Sequence, residues 1–190
     1  MTVVCNGFPK TGTHALQRAV RLLGCKDTRQ GHFPFHVAQG QHIHICRDPR
    51  NALVSWVRWT NPPRDVMRPD VMEGLLIGAI QGFRAGRSFY EEAMEFAHWL
   101  DDAPLSIRFE ELIGDGGVTV QAIADYLQVP HLPNAYFHLA GQTKTYTGAL
   151  SDWRDHWNPD VEYAWEANGG HEIEEAFGYT EKLSTGESGA

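Results

Sequence analysis

An α/β fold is predicted by one pattern met three times: a short run that reads as a strand, a turn, and then apolar residues at helical spacing. The first run is Val3-Val4-Cys5, followed by a glycine-bearing turn and by Leu16, Ala19, Val20 and Leu23 on one helical face. The second is Gln41-His42-Ile43-His44-Ile45-Cys46, which alternates polar and apolar and runs into Asp48-Pro49, a helix cap followed by proline at the first helical position. The third is Leu105-Ser106-Ile107-Arg108-Phe109, ahead of a helix over 118–127.

Apolar residues make up 42% of the 190, enough for one core without disulfide or metal staples. One domain over 1–183 with a disordered tail over 184–190 is expected. A net charge of −8 argues against nonspecific binding to nucleic acid or to an anionic membrane, so an anionic ligand has to be met by a local basic pocket. Cys5, Cys25 and Cys46 lack metal-ligand spacing and read as free thiols in a reducing compartment. A strand begins a few residues after Met1 and no long apolar run follows, so a soluble cytoplasmic protein without a membrane span is expected.

The turn after the first strand, Gly7-Phe8-Pro9-Lys10-Thr11-Gly12-Thr13-His14, has the character of a phosphate cradle. Its backbone N–H groups and the positive end of the next helix can surround an anion. The spacing of Gly7 and Gly12 resembles a Walker A loop, but Thr13 and His14 stand where that loop carries Lys and then Ser or Thr. Pro9-Lys10-Thr11-Gly12-Thr13 resembles instead the Pro-Lys-Ser-Gly-Thr loop of the sulfotransferases that use 3′-phosphoadenosine 5′-phosphosulfate (PAPS). Standing alone, the loop is also compatible with a purely structural turn.

The resemblance extends along most of the chain, from Pro9 to His156. Those sulfotransferases carry Lys-Thr-His-Leu-Pro with a catalytic histidine; here the segment is Gln30-Gly31-His32-Phe33-Pro34, in which Gln30 replaces the lysine. The resemblance implies His32 as general base, a role suited to an imidazole, with His36 as the fallback. Pro34 argues against a helical His32/His36 metal pair, and no metal site is expected. Family members also place Arg at a strand end, then Pro, then Ser eight residues after the Arg, and Arg47, Pro49 and Ser55 keep that spacing. It implies that Arg47 and Ser55 hold the nucleotide 3′-phosphate; otherwise Arg47 pairs with Asp48 or another carboxylate and Ser55 is merely solvated.

Arg108-Phe109-Glu110-Glu111-Leu112 matches a further family segment, with Glu110 read as architectural. Tyr146 to His156 aligns with the family's closing motif: Gly148, Asp152, Trp153 and His156 match, and Arg154 stands for Lys. Tyr146 and Thr147 replace two cations that grip the 3′-phosphate in relatives, so either Lys144 or Arg154 substitutes or affinity is weaker. Between the motifs, helices are expected over 69–83 and 88–100, and a closing helix over 161–177. The segment from Cys25 to Gln41 reads as irregular, and His42 and His44 as polar residues on one face of their strand.

As a whole, the resemblance implies a three-layer α/β/α fold with a central parallel sheet and a P-loop-like phosphate site. It implies sulfuryl transfer from PAPS to an acceptor hydroxyl or amine, leaving 3′-phosphoadenosine 5′-phosphate (PAP), with no metal required. Pro9, Lys10, Thr11, Gly12, Thr13 and His14 would hold the donor's 5′ side, with Lys10 offsetting charge on the leaving phosphate. Arg47, Ser55, Lys144, Gly148 and Arg154 would complete the nucleotide site. Two other readings stay open: a P-loop kinase, separable by magnesium dependence, and an inactive nucleotide-binding protein, separable by turnover. The acceptor and the oligomeric state are not readable.

Overall fold

A computed structural model describes residues 2–33, 41–61, 67–114, 116–131 and 152–180. Four parallel strands, β1 (Val3–Asn6), β2 (Thr28–Gly31), β3 (Gln41–Cys46) and β4 (Ser106–Arg108), form one sheet in the order β2-β1-β3-β4. The helices are α1 (Thr13–Leu22), α2 (Pro49–Thr60), α3 (Pro69–Gln81), α4 (Phe89–Asp102), α5 (Phe109–Gly114), α6 (Gly116–Leu127), α7 (Pro159–Ala167) and α8 (Gly170–Phe177).

The sheet separates two apolar clusters. Val3, Cys5, Ile43, Ile45 and Ile107 pack with α1 and α6 on one face. On the other, Phe8 and Cys46 join the apolar stripes of α2, α3, α4, α7 and α8. This is the expected three-layer α/β/α arrangement. Parallel strands require crossover connections that put helices on both faces. The chain passes from β1 outward to β2 and then back past β1 to β3, so the order reverses between β1 and β3. That reversal opens a crevice at the carboxyl ends of the strands, where ligands bind in open α/β sheets.

Three expectations are corrected. The segment after Cys25 contains β2, a polar strand that pairs, among the described residues, with β1 alone. The closing helix is two helices, α7 and α8, broken where the Asn168 side-chain amide caps the Ala164 carbonyl at 2.7 Å and Gly169 takes φ 81°. His42 and His44 alternate with Ile43 and Ile45 as read, but the face they occupy is covered by α4. Both are buried and stacked on Trp99 at 4.9 and 5.9 Å, and neither ring has a hydrogen-bond partner among the described residues.

Burial, with the His42 charge second, lowers the His44 pKa from 6.5 to about 3. Between those values the unfolded chain binds a proton that the folded chain refuses, so stability falls as pH drops. Urea unfolding at pH 7 and pH 4.5 is expected to show about 2 kcal/mol more acid loss in the wild type than in a His44→Leu variant. Equal losses would show that His44 protonates freely in the fold.

At the start of α2, Asp48 caps the helix through the Arg50 N–H at 2.9 Å. The Arg50 side chain is almost fully buried. It pairs with Asp48 at 3.1 Å and with Glu174 of α8 at 3.2 Å, and its guanidinium lies 4.0 Å from the centroid of the Trp153 ring. A buried cation is tolerated only with such partners, and here they fasten α8 to the head of α2. The expected helices over 69–83 and 88–100 are present as α3 and α4. α4 starts at a reciprocal capping box of Ser88 and Glu91. Cys5, Cys25 and Cys46 are free thiols, and burial pushes Cys5 and Cys46 up to about 12. The expected tail over 184–190 lies outside the described residues.

Candidate functional site

The loop from Gly7 to Gly12 joins β1 to α1 at the crevice, and its sequence dictates its path. A Cβ on Gly7 would stand 2.5 Å from both the Ile45 carbonyl and Thr11 Oγ1, so only glycine passes so close to β3. Thr11 is fully buried and its hydroxyl donates to the Phe8 carbonyl at 2.7 Å, which pins the loop from inside. Gly12 takes φ 105°, and a Cβ there would collide with the Phe109 ring. Lys10 also adopts a left-handed backbone, φ 70°, and its ammonium lies 5.0 Å from the centre of the Trp59 ring.

Helix α1 begins at Gly12 with no side-chain cap and no acidic residue in its first turn. Its first N–H groups and positive dipole end are therefore left for an anion beside Lys10. The head of α2 differs. Asp48 already occupies it, so an anion at this second junction has to be met by side chains. Arg47 is the side chain placed there: it is buried, with its guanidinium 4.8 Å from the centroid of the Phe109 ring. Burial lowers its pKa while Glu110 and Asp48 oppose that shift, and the guanidinium stays cationic.

Phe109 thus touches both halves of the site, with Gly12 against its ring and Arg47 over it. The family segment Arg108-Phe109-Glu110-Glu111-Leu112 identified this residue without revealing that bridging position. Glu110 is architectural: it accepts from the Tyr179 hydroxyl at 2.7 Å. Ser55 is half-buried on α2, Thr13 is buried at the head of α1, and Pro9 lies buried in the loop. Arg154, in a 3-10 turn at Trp153–His156, pairs with Asp152 at 3.2 Å and packs on the Trp153 ring at 4.7 Å. His36, Lys144 and Gly148 lie outside the described residues, as do Tyr146 and Thr147.

His32 follows the last residue of β2. Its Nδ1 lies 2.7 Å from the Gly7 carbonyl, and a carbonyl only accepts, so Nδ1 carries the proton and donates. In the neutral ring, Nε2 then holds the free lone pair. The residue as a whole is open to solvent while its Nδ1 edge packs on the loop. Burial of that edge is the largest influence on its pKa, which lies below 6.5. The Gly7 bond opposes the shift, and the charges of Arg84, His14 and Lys10 add to it. Gln30, standing in the family lysine's place, approaches Nε2 of His14 at 3.2 Å. Among the described residues, no cluster of His, Cys, Asp and Glu could hold a metal, and no helix is long and apolar enough to cross a membrane.

Arg84 is a residue that the sequence did not single out. It lies in a tight turn, Arg84 to Arg87, is ion-paired to Glu92, and sends its charge onto His32. Asn6 was also missed. The available signal was a polar residue closing an apolar strand.

A parallel sheet covered on both faces, a P-loop-like turn at the strand-order reversal and a second basic junction beside it define the sulfotransferase fold, and this chain has it. It is similar to the solved structure of mouse sulfotransferase SULT7A1 complexed with PAP. The TM-score is 0.70 at 14% identity, over 92% of this chain and 84% of that one. No protein-family model and no curated protein sequence matches the chain.

Proposed function

We propose that this protein is a PAPS-dependent sulfotransferase acting on an acceptor hydroxyl or amine. One observation carries the reading: an uncapped helix N-terminus with Lys10, the buried cation Arg47 and the imidazole His32 converge where the strands end. The resemblance of both junctions to those of PAPS enzymes supports it, as does the bound PAP in the similar solved structure. The residues fit a nucleotide with anionic groups at both its 5′ and 3′ positions. The start of α1 and Lys10 would take its 5′ side, and Arg47 with Ser55 its 3′-phosphate.

PAPS supplies an activated sulfuryl group: its sulfur forms a bond to the acceptor oxygen or nitrogen as the bond to the leaving phosphate oxygen breaks. Lys10 offsets the charge growing on that oxygen. His32 accepts the acceptor proton at Nε2 and spreads the resulting charge through Nδ1 to the Gly7 carbonyl. Its lowered pKa favours the neutral ring at pH 7, so the Nε2 lone pair is available. The loop backbone and Arg47 act by holding the donor in line, the positioning logic of phosphoryl transfer.

Calorimetric titration with PAP, and with ADP in the presence and absence of magnesium, tests this. PAP is expected to bind more tightly and without metal. Arg47→Ala is expected to cost that binding about 2 kcal/mol through loss of a charge-assisted contact. Tighter, magnesium-dependent ADP binding would overturn the reading in favour of a kinase.

A further inference from the structure

We infer that Asn6 and Trp99 are positioning residues that set the His32 ring for proton transfer. This rests on the reading of His32 as base. The backbone pairing of β1 with β2 ends at Asn6 opposite Gly31, so no sheet ladder holds the next two residues, His32 and Phe33. Side chains take over at that point.

The Asn6 amide grips the Phe33 backbone from both sides: its Oδ1 accepts from the Phe33 N–H at 2.8 Å and its Nδ2 donates to the Phe33 carbonyl at 2.9 Å. The same carbonyl accepts from Trp99 Nε1 at 3.0 Å, reached from α4 on the far side. Asn6 is fully buried and Trp99 nearly so, which makes these bonds costly to break. The next residue inward on each segment makes the remaining link, from His32 Nδ1 to Gly7.

A clamp at residues 6 and 33 thus enforces the contact at residues 7 and 32. Asparagine suits the place because the Phe33 peptide asks for one acceptor and one donor, which neither aspartate nor a hydrophobe of similar size supplies together. Trp99 suits it because its ring is already fixed by the His42 and His44 stack, leaving its N–H aimed. The last residue of β1 therefore helps to set the base as well as to open the phosphate loop. Loss of either clamp residue would free the imidazole to turn, and Nε2 would no longer be the reserved lone pair.

Trp99→Phe and Asn6→Asp, each in the full chain, test the proposal. Phenylalanine keeps an aromatic ring to stack on His42 and His44 and removes the N–H with part of the ring, so it is the milder of the two variants. Long-range nitrogen–proton NMR of the imidazoles, with His32 assigned against a His32→Gln variant, reads the tautomer without any substrate. The wild type is expected to show His32 protonated at Nδ1. Trp99→Phe is expected to show mixed tautomers and a His32 titration moved up toward 6.5, because the burial that depresses it is relieved.

In turnover, kcat is expected to fall about threefold to tenfold with PAP affinity unchanged, and the acid limb of the pH profile to move up with the titration. An unchanged tautomer and titration in a variant that merely melts earlier would overturn the proposal and leave Asn6 and Trp99 as structural residues. Because the tautomer readout needs no transfer, it decides the point separately from the function proposed above, which fails instead if the wild type binds no PAP.

Discussion

A Lys10→Ala protein is expected to fold and yet to transfer sulfuryl groups at least about a hundredfold more slowly, the loss typical of removing a preorganised charge from a developing anion. Its ammonium reaches over the half-exposed Trp59 and the side chain belongs to neither apolar cluster, so the core is expected to survive its removal. The backbone is another matter, since φ 70° is strained for alanine and lysine alike and relaxed for glycine. Lys10→Gly should therefore melt above Lys10→Ala, by about 1 kcal/mol of stability, while being equally inactive. The rate of PAP release with an acceptor, beside thermal unfolding of both variants, checks this. Full turnover by a folded Lys10→Ala protein would remove the lysine from the mechanism.

The second large effect is structural and sits two residues on. Gly12→Ala is expected to cost about 3 kcal/mol, from two sources: a left-handed backbone that alanine resists, and a methyl group driven into the Phe109 ring. The sources are separable. In Gly12→Ala with Phe109→Leu the collision is relieved and the backbone cost remains, so the double variant should recover part of the loss relative to Phe109→Leu alone. Urea unfolding of the four proteins measures it. A Gly12→Ala midpoint equal to that of the wild type would mean that Phe109 is not seated on the loop. PAP binding is expected to weaken in every variant that disturbs this ring, because Arg47 rests on it.

How much of this was legible follows from where each signal is written. The phosphate loop could be read because glycine, lysine and a helical stripe are local in the chain, and so was the start of α2, where Asp48 and Pro49 do the capping as read. Strand β2 could not be read: Thr28-Arg29-Gln30-Gly31 has no apolar alternation because, among the described residues, it pairs with β1 alone and lies half open to solvent. His42 and His44 were placed on the correct common face, but their burial depends on α4, which lies more than forty residues away in the chain. Two arginines near one strand end look alike in sequence. Only packing separates Arg50, committed to Asp48 and Glu174, from Arg47, placed against Phe109. The clamp on Phe33 draws on Asn6 and Trp99, two residues that share no motif.

The fastening of α8 to α2 through Arg50 and Glu174 bears on the order in which the protein is made. Arg47 and Arg50 leave the ribosome well before Glu174 and the Tyr179 carbonyl that also accepts from Arg50, more than a hundred residues further along the chain. Until they emerge, Arg50 lacks these two contacts, and the head of α2 is held by Asp48 without that brace. A nascent chain therefore braces the head of α2 only after α8 has been made.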